Sequence, residues 1–433
     1  MNSLLKNRII FAKIKEQLNN DLVLILTGAR QVGKTFILKL LIKYLEKDYP
    51  QHKILYFDLE KPDILDNFAD YNSILNYFKA RGIKKDKINF VLLDEFQKMP
   101  TPTKTLKILH DNYPMLKIVA TGSSSLDIYK KLRAESMTGR KRIFYIYPLE
   151  FAEFLDFTET NDCYKIFSRL MKQDINPQAA SAEFISLFEN FAIWGGYPRA
   201  SLIDETKEKQ QILSEIYQSY LNKDVVGLLA MEDTAHFNKL VSLLAAQISG
   251  LFNINEISKM LNVSRYTIEK YLFILKNTFV IKFLTPFYTN KQKEVIKMPK
   301  LYFIDTGLRN FAIHNFNAME LRQDSGQLIE NAVYLELTKN ISPADELHFW
   351  RTPHGTEVDF IVRKNQNIIP IEVKYKAFQN PTVPSNVKAF IREYKPKQAF
   401  VLTRDYYKKT KFENCIVYFL PTFLTVKIIN MIR

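Results

Sequence analysis

The sequence predicts an α/β protein: a parallel sheet flanked by helices, then a helix-rich stretch, a small helix–turn–helix module and a second, mixed α/β domain. Three observations carry this prediction. Apolar runs at Leu22–Leu26, Lys53–Leu59, Ile88–Leu93 and Leu116–Ala120 alternate with helical patterns at the spacing of βαβ units. Between residues 151 and 245, aromatic residues, Leu and Ile recur at helical spacing. From residue 299 the pattern returns to short strands around an apolar-striped helix at 326–340.

Taken in order, residues 1–20 read as an amphipathic helix. The strand at Leu22–Leu26 is apolar throughout, as a strand buried on both faces must be. Helices are expected at Phe36–Tyr49, 70–88 and Thr103–His110, and a further strand at Ile143–Tyr147. Pro148 opens the helical stretch, and Trp194-Gly-Gly-Tyr-Pro198 punctuates it as a corner. In 253–284, Asn255 is expected to cap one short helix, Asn262–Ser264 to turn, and Ser264 to cap a second helix through Leu275. With the β-rich VIKFL behind them, this is a winged-helix pattern, in which Arg265, Tyr266 and Thr267 open the recognition helix. Strands at 347–351, 357–363, 368–375, 398–403 and 414–419, and a helix near 384–393, complete the last domain. The expected organisation is therefore 1–150, sheet domain; 151–245, helical lid; 246–290, winged helix; 291–433, mixed α/β domain.

The strand at Leu22–Leu26 runs into Gly28-Ala29-Arg30-Gln31-Val32-Gly33-Lys34-Thr35, followed by Phe36 and a helical pattern. This is the strand, glycine loop and helix of a phosphate-binding loop. Glycines let backbone N–H groups face a polyphosphate, Lys34 reaches its β and γ groups, and Thr35 offers a hydroxyl to Mg²⁺. The expected ligands are ATP and Mg²⁺. The run Asn89–Glu95, NFVLLDE, ends a second strand in two acids. Asp94 is placed to hold Mg²⁺, directly or through water, and Glu95 to orient or deprotonate the attacking water. Of the hydroxyls in Thr121-Gly-Ser-Ser-Ser125, Ser123 is the choice for sensing the γ-phosphate, with a helix cap as the alternative. Arg133 and Arg140 are candidates for stabilising phosphoryl charge, Arg140 the better because Gly139 permits close approach; a solvated basic run is its plain alternative.

A third constellation lies near the C-terminus. Asp359 precedes an apolar FIV strand, Glu372 and Lys374 alternate on the next, and Glu330 lies on a helix. Residues two apart on a strand share a face, so Glu372 and Lys374 point together while Val373 is buried opposite. Oxygen ligands of this kind suit Mg²⁺, with Lys374 orienting water; charges on a wet face, with no activity, are the alternative. Glu330, Asp359 and Glu372 are thus the candidate metal ligands, and Asp359, Glu372 and Lys374 the candidate catalytic groups of a metal-dependent nuclease.

The bulk properties limit the classes. The 433 residues are 47% hydrophobic and 25% charged, a globular balance rather than a disordered one. No stretch approaches the ~18 to 20 apolar residues of a membrane helix, so a cytoplasmic chain without a membrane partner is expected. The net charge of +15 is compatible with nucleic acid without identifying it. Cys163 and Cys415 stand far apart in sequence and read as free thiols.

On LTGARQVGKT, VLLDEFQ, ATGSSS, GRKRIFYIYPLEFAEFL, WGGYP, YLNKDV with Asp224, and KLYFIDTGL, the chain resembles the AAA-like P-loop ATPases of archaea and bacteria, within the signal-transduction-type NTPases. Its last part resembles the PD-(D/E)xK, restriction-endonuclease-like fold, with Val358-Asp359 in place of the Pro-Asp opening. The resemblance implies an ATP hydrolase, whose winged helix and nuclease-like module suggest action on DNA or defence against mobile elements. Three functions follow as expectations: an ATPase coupled to DNA engagement; the same with Mg²⁺-dependent DNA cleavage; or a regulatory nucleotide switch that binds protein through an inactive nuclease-like domain. A protein partner or homo-oligomer stays open, because Arg140 would act across a subunit boundary as readily as within one.

Overall fold

A computed structural model describes residues 6, 8–123, 137–158, 161–173, 177, 181–219, 234–288, 297–377 and 382–432. They divide into two compact units: one holds the residues up to Tyr147 with 218–219 and Ile274–Phe279, the other holds 148–217, 234–273 and 280–432.

The first unit is a five-stranded sheet. Its elements are α1 (Ile9–Lys15), β1 (Val23–Gly28), α2 (Lys34–Asp48), β2 (Lys53–Asp58), α3 (Pro62–Leu65), α4 (Tyr71–Ala80), β3 (Asn89–Asp94), α5 (Pro102–Asn112), β4 (Leu116–Ser123) and β5 (Lys141–Ile146). The strand order is β2-β3-β4-β1-β5 and every pairing is parallel. All six residues of β1 and of β3 are buried, which explains why these two runs carry no polar alternation. Local chemistry sets the helix starts. The Asp70 carboxylate accepts from the N–H groups of Asn72 (2.8 Å) and Ser73 (3.0 Å), and Pro102 supplies the first turn of α5. The helix expected over 70–88 ends at Ala80, and Gly82 follows in a left-handed conformation.

The second unit begins with helices α6 (Phe151–Phe157), α7 (Asn161–Lys172), α8 (Ser181–Trp194), α9 (Pro198–Ser201), α10 (Thr206–Ser219) and α11 (Thr234–Ala246). Then come α12 (Ile254–Leu261), α13 (Arg265–Asn277), β6 (Ile281–Leu284), β7 (Lys300–Phe303) and α14 (Thr306–Ala312). The last domain contains α15 (Ser325–Asn340), β8 (Glu346–Arg351), β9 (Glu357–Lys364), β10 (Asn367–Lys374), α16 (Ser385–Tyr394), β11 (Gln398–Thr403), β12 (Lys408–Phe412), β13 (Cys415–Pro421) and α17 (Thr425–Met431). Its sheet runs β12-β13-β11-β10-β9-β8. The strands β8, β9 and β10 form an antiparallel meander, and α16 carries the chain over to β11, parallel to β10.

Two expectations about organisation are corrected. Residues 151–245 do not stand apart as a lid domain. Phe151, Phe154, Phe188 and Phe191 share one apolar core with Leu328, Val333, Phe360, Phe400 and Phe423 of the C-terminal sheet and its helix. A polar tie reinforces this, since Phe151 N–H donates to Glu336 Oε1 at 3.2 Å. The cap of α12 is Asn253, not Asn255: its side chain accepts from Asn255 N–H at 3.0 Å. Ser264 does cap the following helix, accepting from Thr267 N–H at 3.1 Å.

Candidate functional site

The glycine loop leaves the C-terminal end of β1, and α2 starts at its far side. Gly33 precedes α2 with φ +93°, a left-handed conformation that favours glycine. Gly28 is fixed by crowding instead, because a Cβ there would lie 2.0 Å from the Ile146 carbonyl oxygen of the neighbouring β5. Gln31 also takes a left-handed φ, +58°. Ala29 and Val32 are buried, while Arg30, Thr35 and Phe36 are half-buried around the loop. The Lys34 ammonium is buried and donates to the loop's own carbonyls, Gly28 O at 3.2 Å and Ala29 O at 2.7 Å. A cation held by neutral carbonyls inside a glycine loop fits a polyphosphate ligand, whose charged oxygens are stronger acceptors for it.

One support was not legible in the motif. Arg8, ahead of α1, is 4% exposed and donates to Val32 O (2.7 Å) in the glycine loop and to Tyr147 O (2.8 Å) after β5. Nothing in the local sequence distinguishes it from its basic neighbours.

Strand order places the second half of the site. Strand β4 separates β1 from β3, so the end of β4 lies between the glycine loop and Asp94-Glu95. Asp94 is 3% exposed; its Oδ2 accepts from the Tyr56 hydroxyl at 3.0 Å and its Oδ1 from the Thr121 hydroxyl. Thr121 Oγ1 in turn accepts from Glu95 N–H at 3.2 Å. Burial, with Asp94 beside it, raises the Tyr56 hydroxyl pKa well above its ordinary value, so it stays a donor. Glu95 leaves the strand with φ +56° and its carboxylate accepts from the Gln97 amide. Lys34, Thr35, Asp94 and Glu95 thus occupy the same, C-terminal end of one parallel sheet, which is where ligands bind in such sheets.

The hydroxyl bonded to Asp94 is one that the motif reading did not single out, that of Thr121; Ser123, the choice for sensing the γ-phosphate, pairs through its backbone with Gly28. The register held the signal: Leu93 pairs with Ala120, so the next residues are Asp94 and Thr121. Arg140 lies at the wrong end of the sheet for a role within this site. It precedes β5, where Val23 pairs with Lys141 and Gly28 with Ile146, a strand's length of roughly 16–20 Å from the glycine loop. There its Nε donates to Asp111 Oδ1 at 2.7 Å. Arg133, Ser124, Ser125 and Asp224 lie outside the described residues.

The C-terminal constellation is assembled by β9, β10 and α15, with one unforeseen member. Asp359 Oδ2 accepts from Val373 N–H at 2.8 Å, and Lys374 Nζ lies 2.5 Å from Glu372 Oε1 on the shared face of β10. Val373 is half-buried rather than buried. The unforeseen member is Lys300, the first residue of β7, 2% exposed. Its ammonium lies 3.0 Å from Glu330 Oε1, 2.6 Å from Glu357 Oε1 and 3.5 Å from Asp359 Oδ1. The Tyr302 hydroxyl donates to Glu330 at 2.7 Å. Burial, and then the Asp359 charge, push Glu330 up to about 8 against the pull of Lys300. The same two causes push Glu372 up to about 7 against Lys374. With the Lys300 ammonium among them the residues do not fit the expected Mg²⁺: as they stand, no three of His, Cys, Asp and Glu among the described residues are grouped to hold a metal ion. The position between Glu330 and Asp359 belongs to the lysine.

A glycine loop between a buried parallel strand and a helix, with an acid pair at the end of a strand two places away, defines a P-loop nucleotide-binding domain. A family model described as an AAA domain matches residues 20–155, the part of the chain that carries the glycine loop and the acid pair. Two further models, both described as domains of unknown function (DUF8612 and DUF4143), match 185–319 and 325–423. An uncharacterized protein of Haemophilus influenzae is 26% identical over 420 residues, covering 94% of this chain and 95% of its own length. Another, from Methanocaldococcus jannaschii, is 28% identical over 374 residues, covering 84% and 78%. Among solved structures, the Aeropyrum pernix Orc1 protein in complex with DNA matches at 14% identity, covering 73% of this chain and 95% of that one, with a TM-score of 0.31. Cdc6p from Pyrobaculum aerophilum matches at 13% identity, covering 74% and 98%, with a TM-score of 0.30. Scores this low do not define a shared fold. No described helix is long and apolar enough to cross a membrane.

Proposed function

We propose that the chain hydrolyses ATP with Mg²⁺ and couples turnover to the engagement of duplex DNA. The observation that carries the first half is the convergence of Lys34, Thr35, Asp94 and Glu95 at one end of the parallel sheet. Lys34 would exchange its loop carbonyls for the β and γ phosphates, Thr35 and Asp94 would hold Mg²⁺, and Glu95 would orient the attacking water. Mg²⁺ held by Thr35 and Asp94 would supply positive charge against the charge that develops on the phosphate oxygens. Thr121 and Tyr56 fix the two oxygens of Asp94 before any ligand arrives, which lowers the reorganisation the reaction must supply.

The DNA half rests on residues 234–303. Helix α11 is followed by a bridge between Leu251 and Lys300, then α12, the tight turn at Asn262 (φ +51°), α13, and the antiparallel pair β6–β7. This order of three helices and a small sheet supports the winged-helix reading. The start of α13 presents exposed Arg265, Tyr266 and Lys270, with the Lys270 ammonium 4.6 Å from the Tyr266 ring centre. Cationic and aromatic side chains on one exposed helix suit phosphate contacts and the groove.

Steady-state turnover is the test. Lys34→Ala should abolish nucleotide binding and turnover together. Glu95→Gln should keep binding and lower turnover by roughly 10²–10⁴-fold, the usual weight of a general base. Arg265→Ala should leave basal turnover intact while weakening duplex binding and flattening its salt dependence. Unchanged turnover in Glu95→Gln would remove the assigned base. Duplex binding absent even at low salt would replace DNA by a protein partner.

A further inference from the structure

We propose that Glu330, Glu357 and Asp359 form a cation site whose occupant is the chain's own Lys300, so that this ammonium and a divalent metal ion exclude one another there. Three carboxylates meet the Lys300 Nζ at 2.6 to 3.5 Å, and they come from two separate elements, α15 and β9. Converging carboxylate oxygens from different elements are what a hard divalent cation selects, and they are also what a buried ammonium needs. The lysine is committed to this position. Its backbone is pinned by β6 at Leu284 and by a bridge to Leu251. Its side chain is 2% exposed and lies against the Phe349 ring, 5.6 Å from the centre.

Each carboxylate is also held from a second side. Tyr302 donates to Glu330, Arg351 donates to Glu357 Oε2 at 2.7 Å, and Val373 N–H donates to Asp359. Such bracing orients oxygens toward a central charge in the way outer partners orient metal ligands. A divalent ion entering beside Lys300 would meet a full positive charge at contact distance, in a largely buried setting that screens it less than bulk water does. The metal can therefore enter only when the ammonium leaves, and the centre of the intact protein is metal-free. In this state Lys300 ties the two-stranded β6–β7 sheet to α15 and to β9, and the centre is not a Mg²⁺ site. This inference stands apart from the nucleotide-site assignment, because it concerns none of Lys34, Thr35, Asp94 and Glu95.

Mn²⁺ provides the probe, followed by paramagnetic resonance on nucleotide-free, full-length protein, with circular dichroism as the control for folding. The wild type is expected to take up no Mn²⁺ that depends on Asp359. Lys300→Ala and Lys300→Gln should each gain one Mn²⁺ site, lost again when Asp359→Asn is added. Mn²⁺ should also raise the melting temperature of the Lys300 variants and leave that of the wild type unmoved. If a Lys300 variant does not fold by itself, refolding it with and without manganese chloride replaces the titration. Recovery only with the metal supports the proposal, and failure with the metal overturns it. A wild-type Mn²⁺ site that disappears in Asp359→Asn would overturn it, as would folded Lys300 variants that bind no Mn²⁺.

Discussion

Asp94 shows what a single buried carboxylate requires. Each of its oxygens has a hydroxyl donor, Tyr56 on β2 and Thr121 on β4, so the acid is positioned from both sides of β3. Thr121→Val keeps the shape of the side chain, removes one donor and unmoors Glu95 N–H. Leaving a buried acceptor short of a donor costs about 1–3 kcal/mol. If the loss falls on the transition state, turnover drops about tenfold for each ~1.4 kcal/mol. Turnover well below wild type in Thr121→Val, recovered in Thr121→Ser, is the expected pair of results; wild-type turnover in Thr121→Val would make the threonine incidental. The motif reading named this segment of β4 without singling out Thr121. In an isolated strand nothing marks that threonine, and only pairing with β3 brings its hydroxyl to the acid.

Among the elements, the most instructive meeting is between two segments far apart in the chain. The corner Trp194–Pro198 ends α8, and Asp305-Thr306-Gly307 opens α14. The Asp305 carboxylate accepts from Gly196 N–H and from Leu308 N–H, both at 2.8 Å, so it caps its own helix and anchors the corner at once. Gly307 is needed because a Cβ there would lie 2.0 Å from the Trp194 carbonyl oxygen. That contact is backbone against backbone and cannot be relieved by a rotamer. Gly307→Ala should cost about 1–3 kcal/mol or more, seen as a drop of roughly 2–4 °C in melting temperature per kcal/mol for a domain of this size. Gly326→Ala in α15 is the control: nothing lies within 4 Å of its Cβ, so a neutral or slightly raised melting temperature is expected. Equal losses in the two variants would show that crowding at Gly307 is not the cause. The sequence marked both segments, WGGYP and FIDTGL, as notable. It held no sign that they touch, because a hydrogen bond spanning 109 residues leaves no local periodicity.

At the scale of the whole molecule, one glutamate of the second unit that lies outside the Lys300 centre, Glu336, is raised by burial up to about 8. Between the ordinary carboxylate range and about pH 8 such a group holds a proton in the folded chain that it loses in the unfolded one. Stability is therefore greatest below that range and falls as pH rises through it. The melting temperature should decline from about pH 5 to pH 8, and the decline should be shallower in Glu336→Gln, whose side chain has no proton to lose. A melting temperature that climbs with pH across the same window, equally in both proteins, would contradict the assignment of this proton.

The sequence by itself determined the strands and the longer helices of the sheet domain, though not the short α3, together with the nucleotide loop and the acid pair, since each is a local pattern: an apolar run, glycines at a fixed spacing, charges at a strand end. It also marked most of the later elements, although the exposed, lysine-rich β12 and the short α17 escaped it for want of a clear period. The tertiary structure decided what those patterns could not. Strand order put Thr121 beside Asp94 and carried Arg140 to the far edge of the sheet. A common apolar core joined 151–194 to the C-terminal sheet instead of leaving a separate lid. Above all, it delivered Lys300 from a strand 30 residues before Glu330 into the centre where a metal ion was expected. Charges that meet through the fold select one another by distance and burial, and neither quantity is written along the chain.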